Sequence, residues 1–130
     1  MTVTVLIVED SPTQAQSLAS KLQEHQIEVL IAKDGNEGLR LAVEHTPDAI
    51  VLDVNMPKMD GYQVCRRLKR NAMTADIPVF MLTAADDPDN TMKGFEVGAE
   101  DFIPKDIYAT SHLLENLRSL NLLPSQAADV

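Results

Sequence analysis

Three stretches of this chain are almost wholly apolar and too short to be helices: VTVLIV (Val3 to Val8), AIVLD (Ala49 to Asp53) and PVFMLT (Pro78 to Thr83). A strand covered on both faces reads this way, because the side chains on either side of its pleat must then be apolar. Two weaker runs, EVLIA (Glu28 to Ala32) and the short DFI (Asp101 to Ile103), extend the set to five. Apolar residues at helical spacing lie between and after them. Ala15, Leu18, Ala19 and Leu22 form one such set, Gly61, Val64, Cys65 and Leu68 another, and Leu113, Leu114, Leu117 and Leu120 a third. Strand followed by helix, five times over, predicts an α/β fold: a parallel sheet with helices on both faces.

Helix starts carry matching signals. Ser11 suits the cap of the first helix, with Pro12 at its first position and Gln14 completing a capping box. Asp34 with Glu37 serves the second helix in the same way, Asp60 the third, and Asp87 followed by Pro88 the fourth. Asp87 and Asp89 therefore read as a cap and a first-turn acid before they read as metal ligands. The loops are short and no linker is visible, so one domain is expected over residues 1–120. Asn121 to Val130 has no periodicity and reads as a loose C-terminal tail.

At 130 residues with 45% hydrophobic content, the chain fits one ordinary globular domain. Its single cysteine, Cys65, excludes an internal disulfide framework and suits a reducing compartment. The start MTVTVLIVED lacks the basic leader of a signal peptide, and no apolar run approaches the length of a membrane span. A cytoplasmic location is expected, with no membrane partner. A net charge of −9 disfavours direct nucleic-acid binding. His25, His45 and His112 stand alone, without ligand spacing, and are assigned no chemistry. Cys65 reads as a small core residue.

The acids are more informative by position than by number. Glu9 and Asp10 follow the first strand, Asp53 ends the third, Thr83 ends the fourth and Lys105 lies just past the fifth. Open parallel sheets bind ligands beyond the carboxyl ends of their strands. If the first, third, fourth and fifth strands are neighbours, these residues share one crevice. Three carboxylates together repel, and a divalent cation relieves the repulsion. Oxygen ligands with room for water suit Mg²⁺ better than Zn²⁺. Carboxylates, a hydroxyl, an ammonium and Mg²⁺ together describe a phosphoryl-transfer site with Asp53 as nucleophile. Taken singly, each residue also has an ordinary explanation. Asp53 is a strand-end acid, Thr83 a good strand former, and Lys105 a surface lysine.

The combination of VLIVEDS, VLDVNMPKMDGY, VFMLTA and GAEDFIPK, in that order and each at a strand end, resembles the receiver domain of two-component response regulators, over roughly Thr4 to Leu120. The resemblance implies a doubly wound, flavodoxin-like five-stranded parallel sheet in the order 2-1-3-4-5 with five helices. It implies that Asp53 accepts a phosphoryl group from a histidine kinase or phosphotransfer protein. Asp10, Asp53 and the backbone carbonyl of Asn55 would bind Mg²⁺, with Glu9 acting mainly through water. Thr83 and Lys105 would contact the phosphoryl group, beside the small residue Ala84. Phe102 matches the family's switch aromatic, and the Asn55 side chain lies where it can tune phosphoryl loss.

Switching would be read by a downstream protein on the face of the fourth helix, fifth strand and fifth helix. Lys93, Asp101 and Arg118 are placed there, either solvated or pairing across a homodimer. The chain is expected to act as a stand-alone receiver and not as an enzyme with its own substrate. It departs from the family at Asp106, where a proline usually follows the lysine through a cis bond. A cis bond before a non-proline costs roughly 3–4 kcal/mol, so Lys105–Asp106 is expected to be trans. Three alternatives remain open: an aspartate-nucleophile phosphatase, a flavin-binding module, and a degenerate receiver that only binds a partner. The first usually needs a second acid where Asn55 stands. The second conflicts with the two acids of EDSPTQ, and the intact constellation argues against the third.

Overall fold

The unbroken apolar runs fill the middle of the sheet. A computed structural model describes residues 2–83 and 96–123. Five parallel strands, β1 (Thr4–Val8), β2 (Glu28–Ala32), β3 (Ala49–Asp53), β4 (Val79–Thr83) and β5 (Asp101–Pro104), lie in the order β2-β1-β3-β4-β5. β1, β3 and β4 are the interior strands and are buried along almost their whole length, while β2 and β5 form the partly exposed edges. That difference in burial is why the two edge runs are the weaker apolar signals in the sequence.

The described helices are α1 (Pro12–Gln23), α2 (Gly35–His45), α3 (Gly61–Arg70) and α4 (Ala109–Ser119). The helix expected after Asp87 and Pro88 lies outside the described residues, so α4 is the helix that the sequence places fifth. Side chains alternate across the sheet and feed two cores. Val5, Ile7, Val51, Phe80 and Ile103 pack with Ala15, Ala19 and Leu22 of α1 and Leu113 and Leu117 of α4. Leu6, Val8, Ile50, Leu52 and Met81 pack with Ala42 of α2 and Val64, Cys65 and Leu68 of α3. Each pair of helices covers one face. Among the described residues no helix is long and apolar enough to cross a membrane.

The caps of α1, α2 and α3 form where the sequence places them, but the boxes expected at α1 and α2 do not close. At α2 the Glu37 Oε1 accepts the Lys33 N–H at 3.2 Å instead of the Asp34 N–H. Asp34 accepts from the Glu37 N–H at 2.8 Å, and Asp60 forms a full capping box with Gln63. Ser11 accepts from the Gln14 N–H, but the return bond from Gln14 is absent, because the Ser11 N–H donates to Glu9 Oε1 at 3.1 Å. The expected capping box at α1 is therefore half formed. In residues 121–123, the described part of the expected tail, the chain packs against the fold. Asn121 takes a left-handed φ of 62°, and Leu122 donates its N–H to the Leu117 carbonyl at 2.9 Å. Leu122 and Leu123 then pack on the α1/α4 core, so ordered packing continues past Leu120. Leu120 itself, at the end of its helical series, is 39% exposed.

Cys65 is fully buried, and its Sγ–H donates to the Val97 carbonyl at 3.4 Å. Burial pushes the thiol up to about 11, and the nearby Lys69 and Arg66 offset this only in part. The thiol is thus expected to resist a disulfide reagent at pH 8 in the folded protein and to react in full in denaturant. Rapid labelling of the native chain is the contrary result.

Candidate functional site

Parallel register determines which side chains meet at the carboxyl edge. Val8 pairs with Leu52, Asp53 with Leu82 and Thr83 with Pro104. By that register Glu9, just after β1, is level with Asp53 at the end of β3; Thr83 at the end of β4 lies one residue beyond that line and Lys105, after β5, two. Glu9, Asp53 and Thr83 are buried, at 3%, 1% and 8% exposure, whereas Asp10 is exposed. One carboxylate oxygen from each of Glu9, Asp10 and Asp53 lies within 4.8 Å of the others. The crevice anticipated from the sequence is thus assembled.

Lys105 turns into it. Its Nζ lies 2.9 Å from Asp53 Oδ1 and 3.5 Å from Glu9 Oε2. The lysine's backbone is fixed from the other side, its N–H donating to the Thr83 carbonyl at 2.8 Å. No peptide bond among the described residues is cis, so Lys105–Asp106 is trans as expected. Asp106 instead uses its carboxylate to accept the Tyr108 N–H at 2.8 Å, which turns the chain into α4. Asp53 Oδ1 also accepts the Asn55 N–H at 3.0 Å, which holds the carboxylate at the strand tip. Gly61 makes this tip possible. A Cβ there would sit 2.5 Å from the Asp53 carbonyl oxygen, so Gly61→Ala is expected to cost about 1–3 kcal/mol, read as a lower urea midpoint at unchanged m. An unchanged midpoint would mean that the strand tip yields without cost.

The electrostatics are unbalanced. The site holds three acids and one lysine, two of the acids buried. Burial, and then the proximity of Asp53, raise Glu9 from 4.5 to about 7, against the lowering effects of the Ser11 N–H and Lys105. Burial lowers the Lys105 ammonium's pKa, but Asp53 and Glu9 outweigh it and raise the value overall. Lys105 lies 3.5 Å from Glu9 Oε2, an ion-pair contact and not a hydrogen bond. Among the described residues that oxygen has no hydrogen-bond partner. A buried, unsatisfied carboxylate oxygen beside two more carboxylates is a donor set suited to a hard cation.

Phe102 is half-buried and packs against the core beneath α2 and α3. Ala84 and Lys93 lie outside the described residues. Asp101 and His112 correct the sequence reading: the Asp101 carboxylate meets His112 Nε2 and Asn116 Nδ2, both at 3.0 Å. His112 is therefore not alone, and Asp101 is engaged within its own chain rather than simply solvated. Arg118 is half-buried on the same helix. A cavity of about 410 Å³ opens beside the site between α1 and the segment leading into α4, with Glu9, Gln14, Lys105 and Ile107 on its walls.

A family model described as the response regulator receiver domain matches residues 5–118. The chain is 40% identical over 116 residues to the DNA-binding dual master transcriptional regulator RpaA of Synechocystis, a match covering 89% of this chain and 48% of that protein. It thus spans about half the length of the curated relatives it matches. Among solved structures, the Vibrio cholerae chemotaxis protein CheY4 superposes with a TM-score of 0.84 at 32% identity, covering 92% of this chain and 98% of that one. The signal receiver domain of a signal transduction histidine kinase from Syntrophus aciditrophicus gives 0.82 at 38% identity, covering 95% and 94%.

Proposed function

The chain belongs to the response regulator receiver domain family, and from that premise we propose that Asp53 is its phosphoacceptor. The observation that carries the reading is the approach of Lys105 Nζ to 2.9 Å from Asp53 Oδ1, within a cluster of three carboxylates. One Asp53 oxygen attacks the phosphorus of the donor. The bond from phosphorus to the donor's leaving group breaks, and that group departs with the electron pair. Lys105 then faces the oxygens of the transferred group, and Thr83, at the neighbouring strand end, donates its hydroxyl to one of them. Asn55 holds the carboxylate through its backbone N–H, and its side chain influences water access to the product. The protein is a phosphoacceptor with self-catalysed transfer and hydrolysis, and turns over no separate substrate.

Asp10, Asp53 and the Asn55 carbonyl would hold Mg²⁺, with Glu9 acting mainly through water. The unsatisfied Glu9 Oε2 and the all-oxygen donor set fit that ion. When bound, Mg²⁺ supplies positive charge against the phosphoryl oxygens. The donor is a histidine kinase or phosphotransfer protein in the cytoplasm, where a lone reduced cysteine fits. Modification replaces the single carboxylate charge of Asp53 with a phosphoryl group carrying nearly two, a net gain of about one negative charge on three exposed oxygens. Thr83 is drawn toward them and Phe102 follows, altering the β5–α4 face that a downstream protein or a second copy would read. Incubation with acetyl phosphate and Mg²⁺, followed by acid quench and intact-mass measurement, tests the reading. One added phosphoryl group that chelation of Mg²⁺ prevents is the expected result. An unmodified mass under both conditions overturns it.

A further inference from the structure

The half-formed cap of α1 has a consequence at the site. Gln14 lies three residues after the capping Ser11, where its side chain ordinarily bonds back to the cap's N–H. Glu9 already takes that N–H through Oε1, at 3.1 Å. The Gln14 side chain points instead across the cavity, and its Oε1 accepts from Lys105 Nζ at 3.4 Å. An ammonium has three N–H donors. Around Lys105 stand three oxygens from different parts of the chain: the Asp53 carboxylate at 2.9 Å and the Glu9 carboxylate at 3.5 Å, both ion-paired with it, and the Gln14 amide, which accepts its hydrogen bond at 3.4 Å. Two of the three are carboxylates that a cation and a phosphoryl group would claim, and Gln14 is the neutral one that neither would.

We infer that Gln14 is a positioning residue for Lys105, holding the ammonium over the Asp53 carboxylate when Glu9 and Asp53 are otherwise engaged. The inference rests on the phosphoacceptor reading for its kinetic consequence, though not for the contact itself. Gln14 is exposed and Lys105 is 28% exposed, so the contact is a modest one. Its loss is expected to slow labelling roughly threefold to tenfold.

Gln14→Met keeps volume and helix propensity while removing the acceptor, and Gln14→Glu restores an acceptor. Two measurements on the full chain decide the matter. In ¹⁵N relaxation of the Lys105 ammonium without metal, Gln14→Met should increase its mobility and Gln14→Glu should not. In acetyl phosphate labelling, Gln14→Met should slow the parent but have no effect in a Lys105→Ala background. Unchanged ammonium mobility, or equal slowing in both backgrounds, overturns the inference. If the parent is not labelled at all, the phosphoacceptor reading fails, and the positioning role stands or falls on the relaxation result alone.

Discussion

Asp53→Asn is expected to abolish labelling by a small acyl phosphate while leaving the fold intact. An amide oxygen lacks the charge that makes a carboxylate a nucleophile, so the loss should be complete within detection. The substitution is conservative for structure. The side-chain carbonyl of Asn can still accept the Asn55 N–H, which Asp53 holds at 3.0 Å, and the volume is unchanged. Neither neighbouring acid substitutes for it. Asp10 is exposed, and the buried Glu9 stands farther from Lys105 than Asp53 does, at 3.5 Å against 2.9 Å. Intact mass after an acid quench, with a thermal melt as the folding control, reads the outcome. An equal mass increment on folded Asp53→Asn protein would place the acceptor elsewhere.

Glu9→Gln should stabilise the metal-free chain, and only toward neutral and higher pH. Burial holds Glu9 at about 7 in the folded state, against 4.5 for the ordinary carboxyl. Between those values the native chain keeps a proton that the unfolded chain has released. Stability from this group is therefore complete below about pH 4.5 and is lost as pH rises through about 7. Above that point the loss is on the order of 3 kcal/mol. Glutamine removes the titration and can still accept the Ser11 N–H. Its melting temperature in chelator should exceed the parent's by about 10 °C at pH 8 and differ little at pH 4.5. The same advantage at both pH values would mean that packing, not charge, is responsible. Added Mg²⁺ should narrow the gap at pH 8, because the ion compensates the parent's acids.

Much of this architecture is legible in the residues. The burial of β1, β3 and β4 leaves unbroken apolar runs, and the end of each run identifies a residue of the crevice. Asp53 stands out because a carboxylate at the tip of a fully buried strand is costly without a cation. Lys105 is harder to read, since only strand pairing brings it to Asp53 from 52 positions away. At Gln14 local spacing favours a capping box that does not close. The competing bond comes from a buried Glu9, whose orientation depends on the whole sheet. His112 and Asp101 meet only once α4 docks beside β5, a contact that no periodicity encodes. Leu122 and Leu123 lack a helical pattern because they pack after the helix has ended.

The central claim is that the acidic tips of β1 and β3 hold one Mg²⁺ in common beside Lys105. Crystals soaked in magnesium chloride address it directly. A single ion is expected, bound at roughly 2.1 Å by oxygens of Asp10 and Asp53 and the Asn55 carbonyl. An empty site at saturating magnesium, with the carboxylates turned apart, would contradict it.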